Sequence, residues 1–158
     1  MNPATIHATA LVVGETGVLL RGPSGAGKSA IALALLAMAG EGRLFARLVA
    51  DDRVALRLAH GRLVAAPHPA IAGRIERRGQ GVEALAHLGA AVIGLVVDIL
   101  PRAEAPRLPA PEDRRALLLG VEAERIAVSG DPLAAAAAIM ARLRGSAGAA
   151  RLFSGPGA

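Results

Sequence analysis

Cysteine is absent from the sequence, so disulfides and cysteine-ligated metal sites are excluded and nothing indicates an oxidising compartment. Aromatic residues are nearly absent as well, with two Phe, no Trp and no Tyr. The core must therefore be built from Ala, Leu, Val and Ile, and its fit depends on close aliphatic packing. The scarcity of stacking side chains argues against nucleic acid as a partner.

Long apolar runs are missing too. The best candidate, residues 90–100, is too short to span a bilayer and is interrupted by Asp98. The N-terminus has no basic region followed by a long apolar stretch, so no signal peptide is expected. These absences predict a cytoplasmic protein that does not insert into a membrane.

The composition is that of a globular domain, with 53% hydrophobic and 20% charged residues. We expect one domain at residues 1–145 and a flexible tail at residues 146–158. The net charge is +5, and all the positive charge comes from arginine except for Lys28, the only lysine. The arginines are scattered along the sequence, so an acidic protein partner or a phosphate ligand explains the charge as well as nucleic acid does.

One motif points directly to chemistry. Residues 22–29 read GPSGAGKS and fit G-x-x-x-x-G-K-[ST], the phosphate-binding P-loop. Its members are Gly22, Pro23, Ser24, Gly25, Ala26, Gly27, Lys28 and Ser29. A strand-like run precedes the motif and a helix-like run follows it, so main-chain N–H groups and the helix N-terminus can surround phosphate oxygens. Lys28 is expected to reach the β- and γ-phosphates, and the Ser29 hydroxyl to bind Mg²⁺.

The remaining pattern predicts an α/β domain with a mixed sheet. Expected strands are residues 6–13, 18–21, 47–50, 54–58, 63–65, 91–99, 117–119 and 125–128. Helices are expected at residues 29–39, 82–87 and 132–144, the last with Asp131 as N-cap. Residues 67–81 and 101–113 are predicted to be loops.

Asp51 and Asp52 follow an apolar strand about twenty residues after Lys28. A carboxylate at a strand end beside a P-loop can hold Mg²⁺ or accept the proton of an attacking hydroxyl. Neighbouring side chains on an extended chain point to opposite sides, so at most one should face the γ-phosphate. An acidic turn that opens the next hairpin is the alternative. Asp98 is expected to cap a strand end, with a distant metal contact as the alternative.

Three blocks in this order resemble the catalytic domain of HPr kinase/phosphorylase. They are His7 with the P-loop, LVADDRV at residues 48–54, and AIAGRIERRGQGV at residues 70–82. Within the third block Glu76, Arg78, Gly79 and Gly81 fit the E-x-R-G-x-G signature of that family. The chain starts almost at the first block and therefore resembles the short alphaproteobacterial form, which consists of the C-terminal catalytic domain.

The resemblance implies roles for particular residues. Asp52 would accept the proton of the attacking serine, with Asp51 and His7 beside it. Glu76 would join Ser29 as a metal ligand, and Arg78 would shape the site. A downstream arginine of the family is matched best by Arg107, although a proline stands where the family has an acid; Arg114 and Arg115 are the alternatives.

The resemblance also implies a fold and a function. The fold is a P-loop domain of the HPr kinase and phosphoenolpyruvate carboxykinase type, which assembles as a homo-hexamer. The implied function is that of an ATP- and Mg²⁺-dependent serine kinase. Its acceptor would be an HPr-like phosphocarrier protein, and the reaction would regulate carbon and nitrogen control by the phosphotransferase system. The reverse, phosphorolytic reaction is left open, because residues 126–132 lack the arginines of the corresponding family segment. A P-loop small-molecule kinase and a non-catalytic nucleotide-responsive module are the alternatives.

Overall fold

The structure is a computed structural model that describes residues 3–153, with side chains for residues 3–145. Its strands are β1 Ala4–Val13, β2 Thr16–Arg21, β3 Ala46–Ala50, β4 Arg53–Ala59, β5 Arg62–Pro67, β6 Arg74–Arg77, β7 Gly81–Ala84, β8 Ala91–Ile99, β9 Arg115–Leu118 and β10 Val121–Val128. Its helices are α1 Lys28–Glu41 and α2 Pro132–Phe153, and short 3-10 turns lie at Pro69–Ile71, Arg102–Glu104 and Pro111–Arg114. None of the helices in this described part is long and apolar enough to cross a membrane.

Eight of the strands form one mixed sheet that closes on itself. The second half of β1 pairs with β2 and its first half with β4, both antiparallel. β2 then runs parallel to β8, and β8 returns through β5 to β4, which closes a ring of five strands. β3 adds to β1, while β10 and β9 extend the sheet beyond β8. The predicted α/β class with a mixed sheet is confirmed.

Two aliphatic cores hold this sheet. The inside of the ring is filled by Ala8, Ala10, Leu19, Val49, Leu56, Leu63 and Val96. The opposite face of β1, β2, β8 and β10 is covered by α1 and α2, with Leu11, Leu20, Ile31, Leu35, Val97 and Ile139 among its buried residues. Both sets lack aromatic side chains, so the predicted aliphatic core is confirmed, and close packing of small residues sets the spacing between layers.

Parallel strands bring the functional loops to one edge. β2, β8 and β10 run in the same direction, so their carboxyl ends meet there. β2 continues into the P-loop, and β10 leads to Gly130 and α2. At the carboxyl ends of parallel strands the connecting loops diverge and helix N-termini point toward the same edge, which makes this edge of the β2, β8 and β10 strands suited to binding a ligand.

Two predicted helix assignments are wrong. Residues 82–87 do not form a helix, and the predicted loop at residues 67–81 contains strand β6, which pairs with β7 in a two-stranded hairpin with Val82 opposite Glu76. A six-residue helix forms too few hydrogen bonds to offset the entropy lost in ordering its first turn, whereas pairing in the hairpin satisfies the same main-chain groups. α2 does not end at Arg144 but continues to Phe153, through Gly145. Residues 154–158 lie outside the described residues, and the flexibility of the tail stays a prediction.

Candidate active site

The P-loop curls around open space because of its glycines. Gly25 and Gly27 have φ angles of 82° and 100°, in the left-handed region that side chains with a Cβ avoid. Gly22 packs so closely that an added Cβ would lie 3.0 Å from Ala26 and 3.3 Å from Ile99. The loop and the first turns of α1 line a cavity of about 800 Å³, together with residues 76–78, Gly130 and Pro132.

Lys28 lies at the centre of this loop. Its side chain donates hydrogen bonds to the carbonyl oxygens of Gly22 at 2.8 Å and Pro23 at 3.0 Å, and only 7% of the residue is exposed. Burial lowers the pKa of Lys28, while the negative charges of Asp51 and Asp52 act in the opposite direction. An arriving phosphate can replace the two carbonyl acceptors without moving the ammonium group out of the loop.

Asp51 is buried and points at Ser29. It accepts hydrogen bonds from the Ser29 hydroxyl at 2.9 and 3.0 Å and from the Thr9 hydroxyl at 2.7 Å. The main-chain N–H of Glu76 lies 3.4 Å from its second oxygen. The carboxylate is therefore held against the hydroxyl that the P-loop motif assigns to the metal.

Asp52 lies apart from Asp51. The Arg53 N–H donates to the Asp51 carbonyl at 2.8 Å and Asp52 has a φ of 68°, so the chain turns sharply here. The Asp52 side chain is 64% exposed, and its Oδ1 lies 3.0 Å from Nδ1 of His7. The two acids thus face different surroundings, and a tight turn rather than an extended chain separates them.

The β6–β7 hairpin forms one wall of the cavity. Ile75 is buried and anchors the hairpin, while Glu76 and Arg78 are exposed and line the cavity. Arg77 is held within the hairpin by hydrogen bonds to Glu83 at 2.9 and 3.0 Å. The signature block therefore reaches the P-loop even though it belongs to a separate small sheet.

The donor set beside the P-loop suits Mg²⁺. Ser29 and Asp51 supply a hydroxyl and a carboxylate in contact, Glu76 lines the same cavity as Ser29, and Mg²⁺ is commonly bound by one or two carboxylates plus substrate phosphates. Within residues 3–153 no group of three or more acidic or histidine side chains forms a complete metal site. The Ser29 hydroxyl and the Asp51 carboxylate fit a Mg²⁺ ion whose other ligands are phosphates of a bound nucleotide.

The three candidate downstream arginines do not reach the P-loop cavity of this chain. Arg107 and Arg114 line a second cavity of about 580 Å³, together with Arg125 and residues of α2. Arg115 lies on β9, where its Nη1 is 3.5 Å from Oε2 of Glu122. A role for any of them in phosphate transfer stays a prediction.

Sequence reasoning missed the role of Thr9 and the two arginine partners of Asp98. Thr9 is fully buried on β1, and the only sequence signal is a hydroxyl residue within an otherwise apolar strand. Asp98 joins Arg21 on β2 to Arg125 on β10, so it links the ends of three parallel strands directly before the P-loop. Burial alone would raise the pKa of Asp98, but the hydrogen bonds from Arg21 and Arg125 outweigh it and lower the pKa.

The P-loop on a mixed sheet, with the Asp51 carboxylate bonded to Ser29, defines a phosphate-binding protein of the P-loop class. The family described as the HPr Serine kinase C-terminal domain matches residues 1–95, and this chain belongs to that family. Among solved structures, the HPr(Ser) kinase/phosphatase from Coxiella burnetii is similar, with a TM-score of 0.74 and 25% identity over 90% of this chain and 99% of that chain. The comparison with curated proteins gave no match. The family predicted from three sequence blocks is confirmed.

Proposed function

We propose that this chain is an ATP- and Mg²⁺-dependent protein serine kinase whose acceptor is an HPr-like phosphocarrier protein. Family membership supports the reaction class. The observation that carries the proposal is the division of the two acids, with Asp51 bonded to Ser29 and Asp52 exposed beside His7. A cytoplasmic location, control of the phosphotransferase system and assembly as a hexamer belong to the same proposal.

The site residues have separate tasks in this reaction. Lys28 binds the transferred phosphate, while Ser29, Asp51 and Glu76 would hold Mg²⁺. Bound Mg²⁺ neutralises charge on the phosphate oxygens of the nucleotide. A serine hydroxyl is a poor nucleophile, so it needs a carboxylate within hydrogen-bonding reach to take its proton as the new bond to phosphorus forms.

Asp52 is our candidate for that proton acceptor. His7 contacts both its carboxylate and, at 3.1 Å, its main-chain carbonyl oxygen, and so orients the acid. In the reverse reaction the same acid would return the proton to the serine oxygen as inorganic phosphate takes the phosphoryl group. The geometry of the Asp52–His7 pair favours neither the kinase reaction nor its reverse.

The exposure of Asp52 favours a protein acceptor over a small molecule. Kinases of small molecules enclose the acceptor to exclude water. Here the acid is 64% exposed and lies outside the lining of the P-loop cavity, although its charge still acts on Lys28, so a large surface can approach it from solvent. A pure nucleotide-binding module would need the P-loop but not Asp52, His7 and Glu76.

The test is mass spectrometry of HPr-like proteins from the same genome after incubation with this protein and Mg-ATP. We expect a gain of one phosphate on a serine, and no gain when the metal is chelated. Intact nucleotide binding without transfer to any phosphocarrier would refute the proposed acceptor. Replacing ATP by inorganic phosphate, with the phosphorylated acceptor as substrate, then decides whether the reverse reaction occurs.

Replacing Thr9 with Val is expected to raise the Mg²⁺ concentration needed for half-maximal transfer about tenfold. Val has the same shape but removes the hydrogen bond that orients Asp51, and a hydrogen bond to a charged group contributes about 1.5–3 kcal/mol. Transfer rates measured over a Mg²⁺ titration check this. Thr5→Val makes the same change at an exposed position of the same strand and should have no effect. Thr9→Ser keeps the hydroxyl and should show the wild-type Mg²⁺ concentration for half-maximal transfer. A Mg²⁺ titration of Thr9→Val identical to that of wild type would show that Thr9 does not orient Asp51.

A further inference from the structure

The outer face of β4 and β5 carries a row of arginines. Along these strands Val54, Leu56 and Leu63 point into the ring, so their neighbours point outward. Arg53 and Arg57 on β4 and Arg62 on β5 are the charged members of this outer set, and all three are exposed. We name these three residues the arginine face.

The arginine face begins at the candidate proton acceptor. Arg53 directly follows Asp52 and is the register partner of His7 across the β1–β4 pair. Arg57 lies four residues further along β4, which corresponds to about 13 Å of strand. A molecule bound to the arginine face would therefore have one end beside the Asp52–His7 pair.

The acidic side chains nearest to these arginines in the sequence are Asp51, which bonds to Ser29, and Asp52, which pairs with His7. Between Arg53 and Ile75 the sequence contains no Asp and no Glu. In the described part of the chain, Arg53, Arg57 and Arg62 take part in none of the ion pairs. Like charges on one sheet face repel each other, so the arrangement stabilises nothing within the fold itself. The other outward-facing residues are Ala55, Ala59 and Ala66, which are small and partly exposed, and Val64, which is buried opposite Arg57.

We propose that the arginine face docks an acidic surface of the protein whose serine is phosphorylated, an inference that rests on the proposed function. Opposite charges across an interface increase the association rate and fix the register of the partner. Docked there, the acceptor would present its serine at Asp52. Nucleic acid fits less well, because neither Phe45 nor Phe153 lies on these strands to stack on bases, and Asp52 would repel a phosphate backbone.

The test is charge reversal away from the reacting groups. Arg57→Glu combined with Arg62→Glu should raise KM for the acceptor protein at least tenfold while kcat and KM for ATP stay within twofold. The wild-type KM should rise steeply with added NaCl, and the variant should have lost most of this dependence. Arg102→Glu combined with Arg144→Glu makes the same change in net charge at exposed positions elsewhere and should leave KM for the acceptor unchanged.

Other outcomes separate this inference from the proposed function. If the wild-type protein phosphorylates a phosphocarrier but the arginine-face variant has the wild-type KM, the docking surface is refuted and the kinase is not. Equal weakening by the control pair would show a general charge effect and would also refute it. Loss of self-association in the arginine-face variant, with KM unchanged, would reassign the face to contacts between copies.

Direct binding covers the case in which no transfer is seen. Fluorescence anisotropy of a labelled HPr-like protein measures its Kd for Asp52→Asn protein, with and without the two arginine changes. A Kd that weakens at least tenfold supports the docking surface even if the chemistry is wrong, whereas equal Kd values refute it. Binding of a labelled single-stranded DNA that depends on Arg57 and Arg62, without binding of the phosphocarrier, would assign the face to nucleic acid instead.

Discussion

Phosphate transfer is expected to fall by about 10²- to 10⁴-fold when Asp52 is replaced by Asn, while ATP binding stays within about twofold of wild type. Asn cannot accept the serine proton, so the serine oxygen attacks phosphorus without a proton acceptor. Nucleotide binding depends instead on the P-loop, Lys28 and the Ser29–Asp51 pair, whose hydrogen bonds the substitution leaves in place. The substitution also removes the charge of Asp52, which acts less strongly on the pKa of Lys28 than the charge of Asp51 does. A single-turnover assay of phosphate transfer and a separate titration with a fluorescent ATP analogue measure the two effects.

Asn is the informative replacement because of the local backbone. Asp52 has a φ of 68°, and Asn tolerates this left-handed conformation better than most residues, so the turn should be preserved. The matched control is Asp113→Asn, which changes an exposed acid away from the P-loop cavity and should leave transfer at the wild-type rate. Wild-type transfer by the Asp52 variant would contradict its role as proton acceptor.

Lys28→Ala is expected to reduce transfer by about 10²- to 10³-fold and to weaken ATP binding as well. The substitution removes the ammonium group of a residue that is only 7% exposed, and no other lysine exists to replace it. Its charge is worth more in this buried position than in water because solvent screens it less. Steady-state kinetics and ATP titration measure both losses, and a thermal melt establishes that the variant is folded.

Chemical modification offers an independent test of the same residue. Because Lys28 is the only lysine, an amine-directed reagent has Lys28 and the N-terminal amine as its targets. Mg-ATP should protect Lys28 from modification and leave the N-terminus reactive, which makes the N-terminus an internal control. Equal modification of Lys28 with and without Mg-ATP, or wild-type kinetics for Lys28→Ala, would show that Lys28 does not contact the phosphates.

Local patterns predicted most of the elements near the P-loop. The hairpin of β1 and β2, the glycine loop and α1 depend on contacts between residues close in sequence, so spacing and turn residues suffice. The prediction failed at residues 82–87, where pairing with β6 decides the conformation, and at the end of α2. Short segments take their structure from their partners, and a linear pattern does not contain those partners.

Residue types and short spacings were enough to establish the P-loop, the aliphatic core and the resemblance to the HPr kinase family. The packing of the folded chain decided that Asp51 bonds to Ser29 and Thr9 while Asp52 turns outward to His7. It also decided that scattered arginines of β4 and β5 share one face. These outcomes depend on the register between β1 and β4 and on a sharp turn at Asp52, and contacts across more than forty residues follow from the packing of the whole sheet.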